Sequence, residues 1–291
     1  MDAIATETIM NCELCGSAEQ RPWGSENGFT AVKCGGCGLV YVSPRPPLDR
    51  IGEANLLGQH QLESGTLNVA YSPSRRKVRA YERRIRRNFQ PELLRGQKLS
   101  WLDIGAGYGE LVEALQRTLP AGSEIVGVEP MRPKAEAARA RGLPIIAGDR
   151  STVEGTFDVI SLINIISHLP SIQSFLAELG PLLRPGGTLL IVTGNGGDLA
   201  SARDYPDKLD LPDHLVFAGQ SHMRRALDRA GFVVEATEAI RLDTALWAAK
   251  ALVKRATGRQ VPLILPYRSP FRDMLYKARK KRSLPPIPTA Q

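Results

Sequence analysis

Apolar residues recur along this chain in two alternating rhythms, and the rhythm sorts the elements. Residues 99–104, 124–129, 143–147, 157–163 and 187–193 are short apolar runs bounded by Gly, Pro or polar residues, and they predict strands. Between them, 109–119, 133–141 and 171–184 repeat apolar residues every three or four positions and predict helices. In 171–184 one face carries Ile172, Phe175, Leu176, Leu179, Leu182 and Leu183; Ser171 opens the helix and Pro185-Gly186-Gly187 ends it. A helix from Ser221 turns Met223, Ala226, Leu227 and Ala230 inward, stops at Gly231 and leads into a strand over 232–236. The alternation of strand, turn and helix predicts an α/β fold, a Rossmann-like doubly wound sheet that is mostly parallel.

Upstream, 73–90 predicts a helix with Val78, Tyr81, Ile85 and Phe89 on one face and arginines on the other, leaning on the main domain. Leu39 to Val42 reads as a short strand, and Ser43-Pro44-Arg45-Pro46-Pro47 as an extended linker, since proline fixes φ and removes a donor. Four segments follow: a small module over 1–45, a linker and basic helix over 46–97, the α/β domain over 98–240, and a basic helical extension over 241–291. A chain of 291 residues that is 43% hydrophobic suits one full α/β domain with appendages. It has no apolar run of the ~18 residues that suggest a bilayer-spanning helix, and MDAIATETIM lacks the basic and apolar parts of a leader, so the cytoplasm is the expected location.

Net charge is +8, with the excess in RRKVRAYERRIRR (75–87) and RDMLYKARKKR (272–282), which could attract nucleic acid, anionic lipid or phosphorylated substrates. If 271–278 is helical, Phe271, Met274, Leu275 and Ala278 share a face beside Arg272, Lys277 and Arg279 to Arg282. That pattern suits peripheral contact with the inner face of a membrane, or packing on the domain.

All four cysteines fall in two CxxC pairs, Cys12 with Cys15 and Cys34 with Cys37. Four thiolates on two tight knuckles can close a tetrahedral shell around Zn²⁺, and glycines after Cys34 let backbone amides turn toward sulfur. With four protein ligands there is no open position, so the ion would fold the module and do no chemistry. The alternatives are disulfides, disfavoured in the cytosol, and a redox CxxC, which needs a thioredoxin-like βαβ setting.

The richest segment is Trp101-Leu-Asp-Ile-Gly-Ala-Gly-Tyr-Gly-Glu110, a strand that runs into a glycine turn and opens a helix. Gly105 and Gly107 let backbone approach a nucleotide-like ligand, and the helix N-terminus offers free amides. The spacing is GxGxG, with Glu110 where a dinucleotide motif has its third glycine. At the end of the second strand Glu129 is placed to accept both hydroxyls of a ribose. Asp103, just before the turn, would repel a pyrophosphate and attract the ammonium and sulfonium of S-adenosylmethionine (SAM). The residues therefore select SAM over NAD.

The motifs LDIGAGYGE, VGVEP, AGD, FDVISLINIISHLP, LLRPGGTLLIVTGN and DLPDHLVFAGQSHMRRALDRAGF, with the CGLVYVSPRP stretch before them, resemble the class I SAM-dependent methyltransferases. The resemblance covers nearly all of 10–235 and is nearest to the bacterial subgroup with an N-terminal zinc-ribbon-like segment. It implies that Asp103, Gly105 and Gly107 line the methionine side, Glu129 the ribose, Met131 an adenine face and Asp149 the adenine amino group, with Asn164 flanking the cofactor. Asp149 as a turn cap and Asn164 as a polar strand end are the plainer alternatives.

Methyl transfer to an alcohol also needs a base, and histidine suits neutral pH. His60 lies in a linker-like stretch and His222 behind a helix cap. His168, after the fourth strand, and His214, in Leu-Pro-Asp-His, are the candidates, His214 slightly favoured for its loop and its neighbour Asp213. Relatives commonly have Glu before the first of these histidines; here it is Ser167. The subgroup implies a small-molecule or glycan acceptor and O-methylation of a saccharide or secondary metabolite, although the long C-terminal domain of the sugar C-methyltransferases is missing. Two rivals remain: an RNA methyltransferase, against which stands Asn-Ile-Ile-Ser after strand four instead of Asn-Pro-Pro-Tyr, and a SAM-binding accessory protein without turnover. Oligomeric state has no sequence signal.

Overall fold

The computed structural model describes residues 5–62, 65–68, 73–206, 208–240, 245–258 and 270–281. In chain order the elements are β1 (Gln20–Glu26), β2 (Phe29–Cys34), β3 (Val40–Val42), α1 (Leu48–Leu57), β4 (Gln59–Leu62), β5 (Gly65–Asn68), α2 (Arg75–Asn88) and α3 (Gln90–Leu94). The α/β domain follows with β6 (Ser100–Ile104), α4 (Glu110–Thr118), β7 (Glu124–Glu129), α5 (Arg132–Arg139), β8 (Ile145–Ala147), β9 (Phe157–Ile163), α6 (Ile172–Leu179) and β10 (Leu183–Gly194). Last come β11 (Val216–Phe217), α7 (Gln220–Arg229), β12 (Phe232–Ile240), α8 (Ala245–Ala256) and β13 (Asp273–Lys280).

The main sheet has the order β12-β13-β10-β9-β6-β7-β8. β10, β9, β6, β7 and β8 are parallel neighbours, while β13 is antiparallel to both β10 and β12. From β6 the chain winds outward through β7 and β8, then returns to the other side through β9 and β10. The carboxyl ends of β6 and β9 therefore flank the switch point, where open sheets of this kind bind ligands.

Trp101, Leu102, Ile160, Leu162, Leu189 and Ile191 are buried in the sheet, which is the reason these strands read as continuous apolar runs. α2 packs as its pattern predicts. Val78, Ile85 and Phe89 join Trp101, Leu111 and Leu115 in one cluster, with the Phe89 and Trp101 ring centroids 4.7 Å apart. The Lys277 ammonium of β13 lies 4.5 Å from the Phe89 centroid and donates to the Asn88 carbonyl.

Two expectations are corrected. The helix expected over 171–184 ends at Leu179, because Gly180 and Pro181 follow and proline clashes with continuation; Leu183 already belongs to β10. The helical face expected at Phe271, Met274, Leu275 and Ala278 does not form, since 273–280 is the strand β13. Met274, Tyr276 and Ala278 alternate into one core cluster and Leu275 into the other. The amphipathic helix that motivated membrane contact is therefore not formed there; Arg282 and the rest of 282–291 lie outside the described residues, as do 241–244 and 259–269 of the expected extension.

The N-terminal module is joined to the domain by more than the chain. β1, β2 and β3 form an antiparallel sheet whose fourth strand is β11. Cys12, Leu14 and Cys34 share an apolar cluster with Leu102 and Ile160. Glu13 caps α6, its carboxylate accepting from the Ile172 and Gln173 amides at 3.1 and 3.2 Å and from Ser171 Oγ at 2.6 Å.

Candidate functional site

A cleft of about 600 Å³ opens at the switch point. Asp103, Gly105, Gly107, Glu129, Met131, Asp149, Asn164 and His168 all line it, so eight of the residues expected around a ligand meet in one place. The turn after β6 is left-handed at Gly105 and Gly107, with φ of 69° and 56°. A Cβ on Gly105 would lie 2.1 Å from Ile165 Cδ1, so a side chain there would crowd the wall of the cleft. Asn164 is also left-handed, at φ 57°, an unusual conformation for a residue with a Cβ and one found at ligand sites.

Glu129 is buried, and its carboxylate takes the Gly107 N–H on Oε2 at 2.7 Å and the Met131 N–H on Oε1 at 3.0 Å. It thus ties the glycine turn to the start of α5. Met131 is buried at the start of α5 and packs over Gly58, where an added Cβ would come 2.2 Å from its Cε. Asp149 Oδ1 caps a short turn through the Ser151 amide at 2.8 Å and hydroxyl at 2.5 Å, and these bonds hold its carboxyl below the usual range. The turn-cap reading of Asp149 thus describes one oxygen of a residue that also lines the cleft.

Asp103 is 2% exposed and accepts from Ser161 Oγ at 2.6 Å; Ser161 in turn accepts from Trp101 Nε1. Burial pushes the Asp103 carboxyl up to about 7; the Ser161 bond opposes this, and Glu129 and Glu110 add to it. Three buried carboxylates around one cleft are a poor host for a pyrophosphate and a good one for a cation. The glycine cradle, the carboxylate at the end of β7 and this acidic floor fit SAM.

His168 stands on the other wall. Its Nδ1 lies 3.0 Å from the Asp213 carbonyl and 3.4 Å from Asp213 Oδ2. Burial would lower its pKa, but the hydrogen bonds and charge of Asp213 outweigh that and raise it above the ordinary value. His214 is differently placed. It is absent from the cleft lining, its Nδ1 bonds the Leu209 carbonyl at 2.9 Å, and burial, then His168, push it down to about 4.

Sequence reasoning missed three contributors. Glu110, 4% exposed, and Lys134, 9% exposed, line the cleft from the first turns of α4 and α5. Position in the first turn after a ligand-binding loop was an available signal for both. His60 had none, because only the tertiary fold brings β4 against Asp213.

The four cysteines also converge. Their sulfurs all lie within 4.8 Å of one another, with Cys12 and Cys37 3.5 Å apart and Cys15 and Cys34 3.4 Å apart, too far for disulfides. The Tyr41 hydroxyl is buried without a hydrogen-bond partner among the described residues, and burial followed by the four nearby sulfurs pushes it up to about 12, so it stays a donor. The buried His222 of α7 meets the Cys37 carbonyl through Nε2 at 2.8 Å.

Comparison with known proteins agrees with this geometry. Residues 74–237 match the family model described as a methyltransferase domain. A ubiquinone biosynthesis O-methyltransferase of Mesorhizobium japonicum is 35% identical over 103 residues, covering 32% of this chain and 40% of that protein. An uncharacterized 37.1 kDa transposon protein of Streptomyces fradiae is 26% identical over 182 residues, 60% of this chain and 47% of its own. The matches thus span less than half the length of these curated relatives. In fold, the chain is similar to a SAM-dependent methyltransferase of Archaeoglobus fulgidus (TM-score 0.50, 17% identity, 70% of this chain and 94% of that one). The cyclase SpnF is similar too (TM-score 0.51, 17% identity, 69% and 81%). With the matched domain covering more than half of its residues, this chain belongs to the methyltransferase-domain family.

Proposed function

We propose that this enzyme methylates a hydroxyl of a small molecule or glycan, a saccharide or secondary metabolite, with His168 as the base. The observation that carries the reading is the His168–Asp213 pair in the wall of the cleft that also holds Asp103 and Glu129. When bound, SAM supplies an electrophilic methyl on a cationic sulfur, and attack on it is an in-line displacement. The chain's residues have three tasks. Glu129 holds the ribose hydroxyls, and Asp103 with Glu110 favours the cationic end. Met131 and the left-handed Asn164 confine the adenosine and the methyl-bearing side.

Asp213, an acceptor, keeps hydrogen on His168 Nδ1, which leaves Nε2 of the neutral ring free to take the proton of an attacking hydroxyl. A hydroxyl must lose its proton as it attacks, whereas a neutral amine or a thiolate attacks without a base, which is why the pair favours O-methylation. The relatives named as ubiquinone biosynthesis O-methyltransferases support a small-molecule oxygen acceptor. His214, neutral and bonded to the Leu209 carbonyl, supports the loop instead of meeting the acceptor.

Cys12, Cys15, Cys34 and Cys37 are assigned to one structural Zn²⁺. Zn–S bonds of about 2.3 Å give tetrahedral edges of about 3.8 Å, close to the sulfur separations present. The unpartnered Tyr41 hydroxyl beside them suits a donor to a thiolate.

Incubating metal-loaded protein with methyl-labelled SAM and panels of phenols, saccharides, nucleotide sugars and total RNA tests the reading. Label in a small-molecule ether, lost in His168→Asn, is expected; label confined to RNA overturns it.

A further inference from the structure

The α1–β4 segment, expected to be a linker, carries His60 into the back of the site. Its Nε2 lies 2.9 Å from Asp213 Oδ1, and the ring is only 6% exposed. The other oxygen, Oδ2, lies 3.4 Å from His168 Nδ1. One largely buried carboxylate, itself in the cleft lining, therefore sits between two imidazoles. The same segment lines the cleft with Ala54, Asn55 and Gly58, and Gly58 packs against Met131, so its position over the cofactor site is built in.

A carboxylate on a single side-chain torsion has a broad, roughly two-fold preference and does not choose its orientation unaided. A bond on Oδ1 removes that freedom and leaves Oδ2 toward His168. Because an ionised carboxylate only accepts, both ring nitrogens that face it carry hydrogen. The neutral His168 then has Nδ1–H and a bare Nε2.

We propose that His60 is a positioning residue for methyl transfer: it holds Asp213 with Oδ2 facing His168 Nδ1, whose hydrogen the Asp213 carbonyl also accepts at 3.0 Å, so that the carboxylate charge stays beside the ring. The proposal rests on the reading of His168 as the base, and concerns no other part of the assignment. The charged and titratable groups that face His168 are Asp213 and His214 from the 209–215 loop, with the His214 ring centroid 5.0 Å away, and Lys134 from α5. His60 reaches it only through Asp213.

The chain has four histidines, so ¹⁵N-histidine spectra of the full-length, metal-loaded protein with S-adenosylhomocysteine resolve each ring's tautomer and titration. Two variants separate positioning from packing. The amide nitrogen of His60→Gln reaches as far as the ring Nε2, whereas that of His60→Asn stops short. Wild type and His60→Gln are expected to show His168 as the Nδ1–H tautomer with a midpoint above its ordinary value. In His60→Asn the Nδ1–H tautomer, held by the Asp213 carbonyl, is retained and the midpoint falls by about 1 pH unit. A wild-type His168 signature in His60→Asn overturns the proposal, and so does a folded His60→Gln with the Asn-like signature. If His60→Asn does not fold, the His60→Gln result decides alone. Failure of S-adenosylhomocysteine to bind the wild type would instead strike at the cofactor assignment, and the His168 signature is then read on the unliganded protein.

Discussion

The Glu129 carboxylate, 2.7 Å from the Gly107 amide, joins the end of one strand to the glycine turn that follows another. Since Oε1 holds the Met131 amide as well, one side chain ties both borders of the proposed adenosine site. In Glu129→Gln one oxygen becomes an NH₂ that faces a backbone N–H, donor against donor. SAM affinity is expected to fall about 10- to 100-fold, the equivalent of roughly 1–3 kcal/mol, as measured by calorimetry.

His168→Asn should lower kcat by about 10²- to 10⁴-fold at neutral pH, with His214→Asn causing a smaller loss. The base acts when neutral, so the rate should rise with pH through the His168 titration, whose midpoint lies above the ordinary histidine value. His214, held near 4, stays neutral across that range and contributes no limb. A pH–rate profile of wild type and both variants checks the order of effects.

Removing the proposed Zn²⁺ should reach the active site as well as the module. Glu26, at the end of β1, accepts from the Leu209 and Asp210 amides, and Asn27 donates to the Leu211 carbonyl. Leu215 accepts from the Val42 amide and donates to Ser167 at 2.7 Å. Chelation, or Cys34→Ser, is expected to lower stability by a few kcal/mol and to disorder the loop that presents Asp213, reducing activity more than SAM affinity. Cobalt substitution followed by its sulfur charge-transfer absorption reports the occupancy.

Asp103→Asn should stabilise the unliganded protein while weakening cofactor binding. The folded Asp103 keeps its proton up to about 7, whereas the unfolded group releases it near 3.8, so this residue makes folding less favourable as pH rises between those values. At pH 8 the variant is expected to melt higher than wild type, by the equivalent of a few kcal/mol at most, and at pH 4 the two should coincide. Thermal melts at the two pH values read the difference directly.

Much of this architecture was legible because its strands are buried on both faces: 157–163 reads as one apolar run and is β9 without adjustment. The glycine turn, Asp103 and Glu129 were legible as one place in the fold because they end neighbouring parallel strands at the switch point, and all of them line the cleft. The C-terminal strand was not, because Met274, Leu275 and Ala278 satisfy a helical period as well as the two-residue alternation of Met274, Tyr276 and Ala278. Only its slot between β10 and β12 decides between them. The end of α6 was marked by Gly180-Pro181, a stop signal overshadowed by the apolar pair that follows. His60 left no trace, since its partner is about 150 residues away in sequence and a polar hairpin carries it there.

The buried acidic floor around Asp103 is what the proposed function assigns to the cationic donor. Titrating SAM into metal-loaded protein by calorimetry at pH 7, in buffers of different ionisation enthalpy, counts the protons that binding displaces. The account predicts release of about half a proton, from a group titrating near 7, and its loss together with about tenfold or more of the affinity in Asp103→Asn. Binding with no proton released, or an Asp103→Asn protein that binds as tightly as wild type, would contradict it.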